Sequence, residues 1–183
     1  LLNPYESVFY INLSETYKFL GNILLSKIFL EYVLLIEENN ELALVLYARA
    51  LFTINNSKQS LFTYQKLIST ISYPENFKYK VEYFHKLIDS SQAEKARIFL
   101  DEMNKEDNKE NGKHKEDLLY LEGTLNIEFK KYTNAVSNFE KCIRFNRNNS
   151  FAYSSLAVAF ERLNHYDKAI NYLKKSISLD GNN

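Results

Sequence analysis

Three histidines and one cysteine are the side chains of this chain that could bind a transition metal or carry out nucleophilic and proton-transfer chemistry. None of His85, His114 and His165 has a second histidine or a cysteine at the short spacing of paired metal ligands. We therefore interpret these three histidines as surface residues. Cys142 lies at a position of a 34-residue repeat that is typically occupied by a small core residue. We therefore predict no catalytic residue, no metal site, no cofactor and no enzyme activity.

Charge and composition argue against several other kinds of binding. Lys and Arg number 23 and so do Asp and Glu, which leaves no net charge and no basic footprint for nucleic acid. The four glycines are scattered, so no phosphate-binding loop is present. Stacking of bases on the abundant Tyr and Phe would need a flanking basic groove, which the sequence lacks. A protein or peptide partner is expected, and no nucleic acid.

The cellular setting is predicted from the cysteine count and from the most apolar segment. A single cysteine excludes a disulfide within the chain and favours a reducing compartment, so we expect an intracellular protein, cytoplasmic or nuclear. Residues 23–36 are interrupted by Ser26, Lys27 and Glu31 and are shorter than the roughly 18–20 residues of a membrane span. They are predicted to form a buried amphipathic helix. The first residue is not Met, and the pattern opens midway, so a piece of a longer protein is expected.

The elements that position all these residues follow from a repeat of 34 residues. In residues 150–183, large and small apolar residues recur at intervals of three and four, which places them on one face of each of two helices. Small residues at three of the positions let the two helices approach closely. The positions are occupied by Tyr153, Leu156, Ala157 and Phe160 on the first helix and by Ala169, Leu173 and Ser176 on the second.

The same pattern recurs in phase along the chain. Residues 7–40 and 41–76 form two further units, and residues 116–149 form a unit whose small and large positions hold Gly123, Ala135, Phe139 and Cys142. Residues 77–115 form a degenerate unit, with a charged segment at 104–117 that is predicted to be a solvated loop. Residues 1–6 are predicted to be the end of a preceding repeat.

This pattern resembles the tetratricopeptide repeat, a pair of antiparallel helices. Gly181 stands where the family has its final proline, and it can also end a helix. The resemblance implies an all-α, TPR-type α-solenoid of about five antiparallel helix pairs that form a right-handed superhelix. It also implies a concave surface lined by the first helix of each pair, which binds extended peptides or helices.

The inner positions of the family can be carried over to this sequence. They predict a partner-binding face, although packing against neighbouring first helices is an equal alternative for several of its members. The face comprises Ile11, Glu15, Lys18, Val45, Arg49, Phe52, Tyr120, Thr124, Ile127, Phe151, Ser154 and Val158. The co-chaperone branch of the family holds a C-terminal carboxylate with Lys and Asn where this chain has Ile11 and Glu15, so binding of a chaperone tail is not expected.

The resulting hypothesis is a non-catalytic scaffold that binds a peptide or helix, or that assembles a multiprotein complex. The alternative is a targeting or autoinhibitory module of an enzyme whose catalytic domain lies outside this chain. A third hypothesis is that the helical repeats bind RNA. Self-association through exposed repeat ends is a further expectation, with Ile170 and Ile177 predicted at the C-terminal end. Glutamate at Val45 and Phe52 is predicted to abolish partner capture without loss of stability.

Overall fold

A computed structural model describes residues 4–180, with side chains from residue 6 onward. The regular structure of these residues consists of ten α-helices, which confirms the predicted all-α class. They are α1 (Pro4–Phe19), α2 (Ile23–Ile36), α3 (Glu41–Thr53), α4 (Ser57–Thr70), α5 (Phe77–Asp89), α6 (Ala93–Lys109), α7 (Lys115–Glu128), α8 (Tyr132–Phe145), α9 (Ser150–Arg162) and α10 (Tyr166–Asp180).

The helices begin and end at residues suited to those places. Asparagine caps four of the helices: its side-chain oxygen accepts a backbone N–H three residues later, which satisfies a donor that lacks a partner within the helix. These caps are Asn22, Asn40, Asn56 and Asn149. The turns from first to second helices each contain one residue with φ between 57° and 78°, namely Gly21, Asn55, Ser91, Lys130 and Asn164. Such a left-handed residue ends a helix and reverses the chain.

The molecule divides into two compact units, residues 1–86 and residues 87–183. In the first unit, α1 pairs with α2 and α3 pairs with α4, through the small residues of the repeat. The hydroxyls of Ser14 and Ser26 lie 2.9 Å apart, and the Ser60 hydroxyl donates to the Ala48 carbonyl at 2.7 Å. Both contacts are buried and join the positions that the pattern assigned to close helix approach.

The second unit contains α6 to α10, in which α7 pairs with α8 and α9 pairs with α10. Its core gathers around Phe139, which is fully buried. Gly123 lies against this ring so closely that a Cβ there would come within 2.5 Å of Phe139 Cε1. Ala157 and Ala169, also buried, occupy the equivalent close-approach positions of the next pair.

The first helix begins earlier than the predicted boundary at residue 7. Helix α1 already begins at Pro4, so residues 4–6 belong to the first helix rather than to the end of a preceding repeat. Proline suits the first turn of a helix because its missing N–H has no partner there. Residues 1–3 and Gly181 lie outside the described residues.

The charged segment at 104–117 is mostly helical rather than a loop. Helix α6 continues to Lys109 and α7 begins at Lys115, so the connection is only residues 110–114. Asp107 is the reason for the tight turn. Its backbone oxygen accepts the Gly112 N–H at 2.8 Å, and its buried carboxylate accepts the His114 N–H at 2.9 Å. Charge alone does not distinguish a solvated helix from a loop.

Candidate functional site

The predicted partner-binding face begins on α1 and α3 in the first unit, and its members differ sharply in exposure. Ile11 and Val45 are buried, with Val45 only 4% exposed. They contribute to packing and are removed from the accessible face. Glu15 and Lys18 are exposed on α1 and form a loose ion pair at 3.4 Å. Such a pair is weak in water and leaves both groups free to exchange partners.

Hydrogen bonds on either side of Val45 connect α3 to α5. The side of α3 that carries Val45 also carries Glu41 and Arg49, one turn before and one turn after it. Both of these residues reach α5. Glu41 accepts hydrogen bonds from Tyr79 and Lys78, and Arg49 pairs with Glu82.

A polar network fixes Arg49 and reduces its availability to a partner. Its guanidinium donates to Glu82 through Nε at 3.0 Å and through Nη2 at 2.5 Å. The buried Tyr64 donates its hydroxyl to the same carboxylate at 2.8 Å. Burial raises the pKa of Glu82, but the hydrogen bonds from Arg49 and Tyr64 outweigh burial and hold the pKa below its usual value. Arg49 therefore acts first as a link between α3 and α5.

Phe52 lies one turn further along the same side of α3. It is half-buried, and the Lys86 ammonium stands 4.2 Å from its ring centroid. This distance suits a cation–π contact. Glu82 and Lys86 were not among the predicted site residues. A signal existed, because Glu82 follows Arg49 by 33 residues, close to one repeat, and oppositely charged residues at that spacing fall on neighbouring first helices.

In the second unit, α7 carries Tyr120, Thr124 and Ile127, all half-buried. Tyr120 packs on Phe139 with ring centroids 5.7 Å apart, and its hydroxyl lies 3.2 Å from Ser155 on α9. Ile127 packs against the same core, and the Thr124 hydroxyl bonds the Tyr120 carbonyl. The α7 part of the predicted face is therefore largely engaged in packing.

Helix α9 carries the accessible part of the predicted face. Phe151, Ser154 and Val158 are spaced by three and four residues and lie on one side of the helix. Phe151 is 71% exposed and Val158 is 38% exposed. The Ser154 hydroxyl between them donates a hydrogen bond to the Phe151 carbonyl, so its proton already has an acceptor. This arrangement is an apolar strip on a rigid helix.

The residues that could have supported chemistry have structural surroundings. Cys142 is fully buried, and burial raises the pKa of its thiol to about 12, with Glu116 and Asp117 adding to the effect. A thiol of this kind is a poor nucleophile. His165 packs edge-on against Phe160. Within residues 4–180, no cluster of three His, Cys, Asp or Glu side chains has the arrangement of a metal site.

No helix in the described part of the chain combines the length and the apolar character that crossing a membrane requires.

These features define a class of proteins built from repeated antiparallel helix pairs, and two family models identify the repeat. Models described as tetratricopeptide repeat match residues 116–149 and residues 150–183. Residues 116–183 therefore form two tetratricopeptide repeats. No curated protein matches its sequence.

Solved structures of low sequence identity share the fold. MamA residues 41 to the end from Desulfovibrio magneticus RS-1 has a TM-score of 0.68 and 15% identity, covering 97% of this chain and 96% of that one. Pseudomonas aeruginosa PilF has a TM-score of 0.69 and 22% identity, covering 95% and 76%. TPR-like repeats of a putative kinesin light chain from Podosopora anserina give 0.74 and 12%, covering 99% and 98%. At these identities the likeness concerns the fold alone.

Proposed function

We propose that this chain is a non-catalytic scaffold that binds a peptide or a helix of a partner protein through the accessible sides of its first helices. The observation that carries the proposal is the apolar strip of Phe151, Ser154 and Val158 on α9. Phe151 stays 71% exposed although its helix is packed on the opposite side. A large exposed aromatic on a rigid element is a common anchor for a partner.

The first unit offers a second, more polar contact on the same kind of helix. Phe52 is partly accessible, and Lys86 lies over its ring. Arg49 and Lys86 both lie close enough to Glu82 to lower the pKa of its carboxylate. A partner segment with an apolar residue complements the accessible part of the Phe52 ring. A largely rigid receptor of this type binds with little ordering cost on its own side.

Selection of peptides against the immobilised chain tests this proposal. Peptides from a random display library should bind the wild-type chain, and Phe151→Ser combined with Val158→Ser should weaken their binding at least tenfold in fluorescence anisotropy. Phe145→Ser is the matched control, because Phe145 is comparably exposed but lies at the end of α8, the second helix of its pair. Failure to select any peptide, or equal binding to the strip variant and to the control, would overturn the proposal.

A further inference from the structure

The outer side of α2, opposite the side that packs, is apolar. Three residues of α2 are buried, namely Ser26, Leu30 and Val33. The helical period of 3.6 residues places Leu24, Ile28 and Leu35 together on the opposite side. They are 62%, 52% and 84% exposed. Polar residues ordinarily occupy the solvent side of such a helix, so this stripe calls for an explanation.

Two polar bridges show how α2 lies against α4. The Tyr47 hydroxyl donates to Glu31 on α2 at 2.7 Å and accepts from Gln59 on α4 at 3.0 Å. Lys66 on α4 donates to Glu38, just beyond the end of α2, at 2.6 Å. The bridges are seven residues apart on each side, so the two helices run side by side in the same direction.

Between the two bridges, each side exposes one large apolar side chain. Leu35 lies between them on α2, and Phe62 lies between them on α4. Phe62 is 67% exposed. The two side chains are therefore neighbours on the outside of the first unit. We call the four exposed residues the outer patch: Leu24, Ile28, Leu35 and Phe62.

The second unit has polar residues at the same four positions. Each lies 109 residues after its counterpart and is largely exposed: Thr133, Ser137, Arg144 and Asn171. Helix α8, which carries the first three, has further helices stacked on both sides of its pair, since α6 packs on α7 and α9 packs on α8. These positions thus stay exposed in the middle of a stack. Stacking of repeats therefore does not account for the apolar residues of the outer patch.

The charges around the outer patch balance. Helices α2 and α4, with the two residues after α2, carry three charges of each sign: Lys27, Lys58, Lys66, Glu31, Glu37 and Glu38. A helix that lies on an anionic lipid surface carries Lys and Arg in excess beside its apolar face. The balanced charges of α2 and α4 suit a protein surface better than such a membrane.

A second copy of the chain fits this surface by two-fold symmetry. In a two-fold contact the same patch lies on both sides, so apolar residues meet apolar residues. Antiparallel pairing of α2 with its copy places Leu24 opposite Leu35 of the copy. Lys27, which pairs with Glu31 of its own chain at 2.6 Å, then lies next to Glu31 of the copy as well. Charges of opposite sign therefore meet in the middle, whereas a patch of one sign would repel itself.

The size of the outer patch also suits such a contact. A stable interface buries roughly 800 Å² on each partner, with an apolar centre and a polar rim. Four large side chains, each more than half exposed, supply on the order of half of that area as the centre. The charged residues of α2 and α4 supply the rim.

We propose that the outer patch is a dimer interface, in which α2 packs antiparallel on α2 of a second copy and Phe62 extends the contact at its edge. The inference goes beyond the proposed function, because the outer patch lies on second helices and the Phe151 strip lies on a first helix.

Analytical ultracentrifugation of the 183-residue chain over a range of concentrations tests the proposal. The wild-type chain should show a monomer–dimer equilibrium. Ile28→Ser, Leu35→Arg and Phe62→Asn together introduce the residues of the second unit, and this triple variant should raise the dissociation constant at least tenfold. Phe145→Ser is the control, because Phe145 is 64% exposed on α8 and its loss should leave the dimer unchanged. Circular dichroism establishes that each variant is folded.

Charge reversal tests the two-fold arrangement itself. Lys27→Glu leaves only carboxylates in the middle of the contact, and Glu31→Lys leaves only ammonium groups, so each variant alone should dimerise at least tenfold more weakly. An equimolar mixture of the two should associate about as tightly as the wild-type chain, because opposite charges then meet. Resonance energy transfer between differently labelled chains measures this association.

Several results would overturn the proposal. One is a wild-type chain that stays monomeric at every concentration, and another is a dimer that the triple variant leaves intact. A dimer that dissociates instead with Ile170→Asp and Ile177→Asp would assign self-association to the repeat end. Binding of a monomeric chain to phosphatidylcholine vesicles, lost in the triple variant, would assign the outer patch to a lipid surface. A mixture of the charge variants that does not associate would refute the antiparallel contact of α2.

Discussion

Helices α3 and α9 hold the same place in their repeats, yet they present different surfaces. On α3 the inner side is closed, because Glu41 and Arg49 reach α5 and Val45 between them is buried. On α9 the equivalent side is open, with Val158 at the position of Arg49. Exposure at a repeat position is therefore decided by whether a neighbouring first helix lies against it, and the residue type follows from that difference.

We expect the largest loss of stability when a glutamate is placed on the inner side of α3, and almost none when it is placed on the inner side of α9. Val45→Glu puts a carboxylate at a buried position of α3, where the neighbouring Arg49 is already paired with Glu82. We expect the free energy of unfolding to fall on the order of 4 kcal/mol, because a buried unpaired charge is among the most destabilising changes. Val158→Glu on the open side should change it by less than about 0.5 kcal/mol. Urea denaturation followed by circular dichroism measures both.

This expectation replaces the sequence-based one, in which Val45→Glu together with Phe52→Glu removes partner binding and leaves stability intact. A Val45→Glu variant as stable as the wild-type chain would show that the α3 face is open after all. The difference between α3 and α9 would then disappear, and Val45 would return to the partner-binding face.

A second contrast between the units concerns two glycines. Gly123→Ala on α7 gains about 1 kcal/mol of helix propensity. The new Cβ, however, would stand 2.5 Å from a ring carbon of the fully buried Phe139, and overpacking of this kind costs about 3 kcal/mol. The net result should be a destabilisation of about 2 kcal/mol. Thermal unfolding of Gly123→Ala measures it, and adding Phe139→Leu should recover part of the loss, since the two changes share one contact.

Gly21→Ala is the control for that substitution. Gly21 has φ of 78° and no atoms within 4 Å of the added Cβ, so only the left-handed backbone opposes the change. The cost should be about 1 kcal/mol, the usual penalty for an L-residue in that region. Recovery by Phe139→Leu in the Gly21→Ala background would contradict the steric explanation, because no atom lies within 4 Å of a Cβ at Gly21.

These contrasts show what sequence reasoning could and could not supply. The repeat phase correctly placed the small residues that join paired helices, such as Ser14 with Ser26, because that contact depends only on residues inside one repeat. It did not show that Glu41 and Arg49, on either side of the buried Val45, bond to α5. The third unit is degenerate, so the repeat pattern alone left its register against α3 open, and the spacing of 33 residues between Arg49 and Glu82 was not recognised as a contact. Contacts between repeats depend on both neighbours, and one of them lacked the signature.

The smallest expected effect belongs to the network that closes α3. Glu82→Gln retains the shape of the side chain but removes the charge that Arg49 and Tyr64 share. The pair is partly exposed, so solvent screens it, and the loss in unfolding free energy at pH 7 should be about 1 kcal/mol. An equivalent substitution of Glu15, whose ion pair with Lys18 is more exposed, should have almost no effect.

The pH dependence identifies the source of that loss. Because the folded-state pKa of Glu82 lies below the ordinary value of 4.5, its contribution is present above pH 4.5 and disappears as the pH falls through the lowered folded-state pKa. Urea denaturation between pH 7 and pH 3 should therefore show wild-type and Glu82→Gln stabilities that differ at neutral pH and converge in acid. A constant difference across this range would mean that the glutamine disturbs packing. The closed side of α3 would then depend on the fit of α5 rather than on charge.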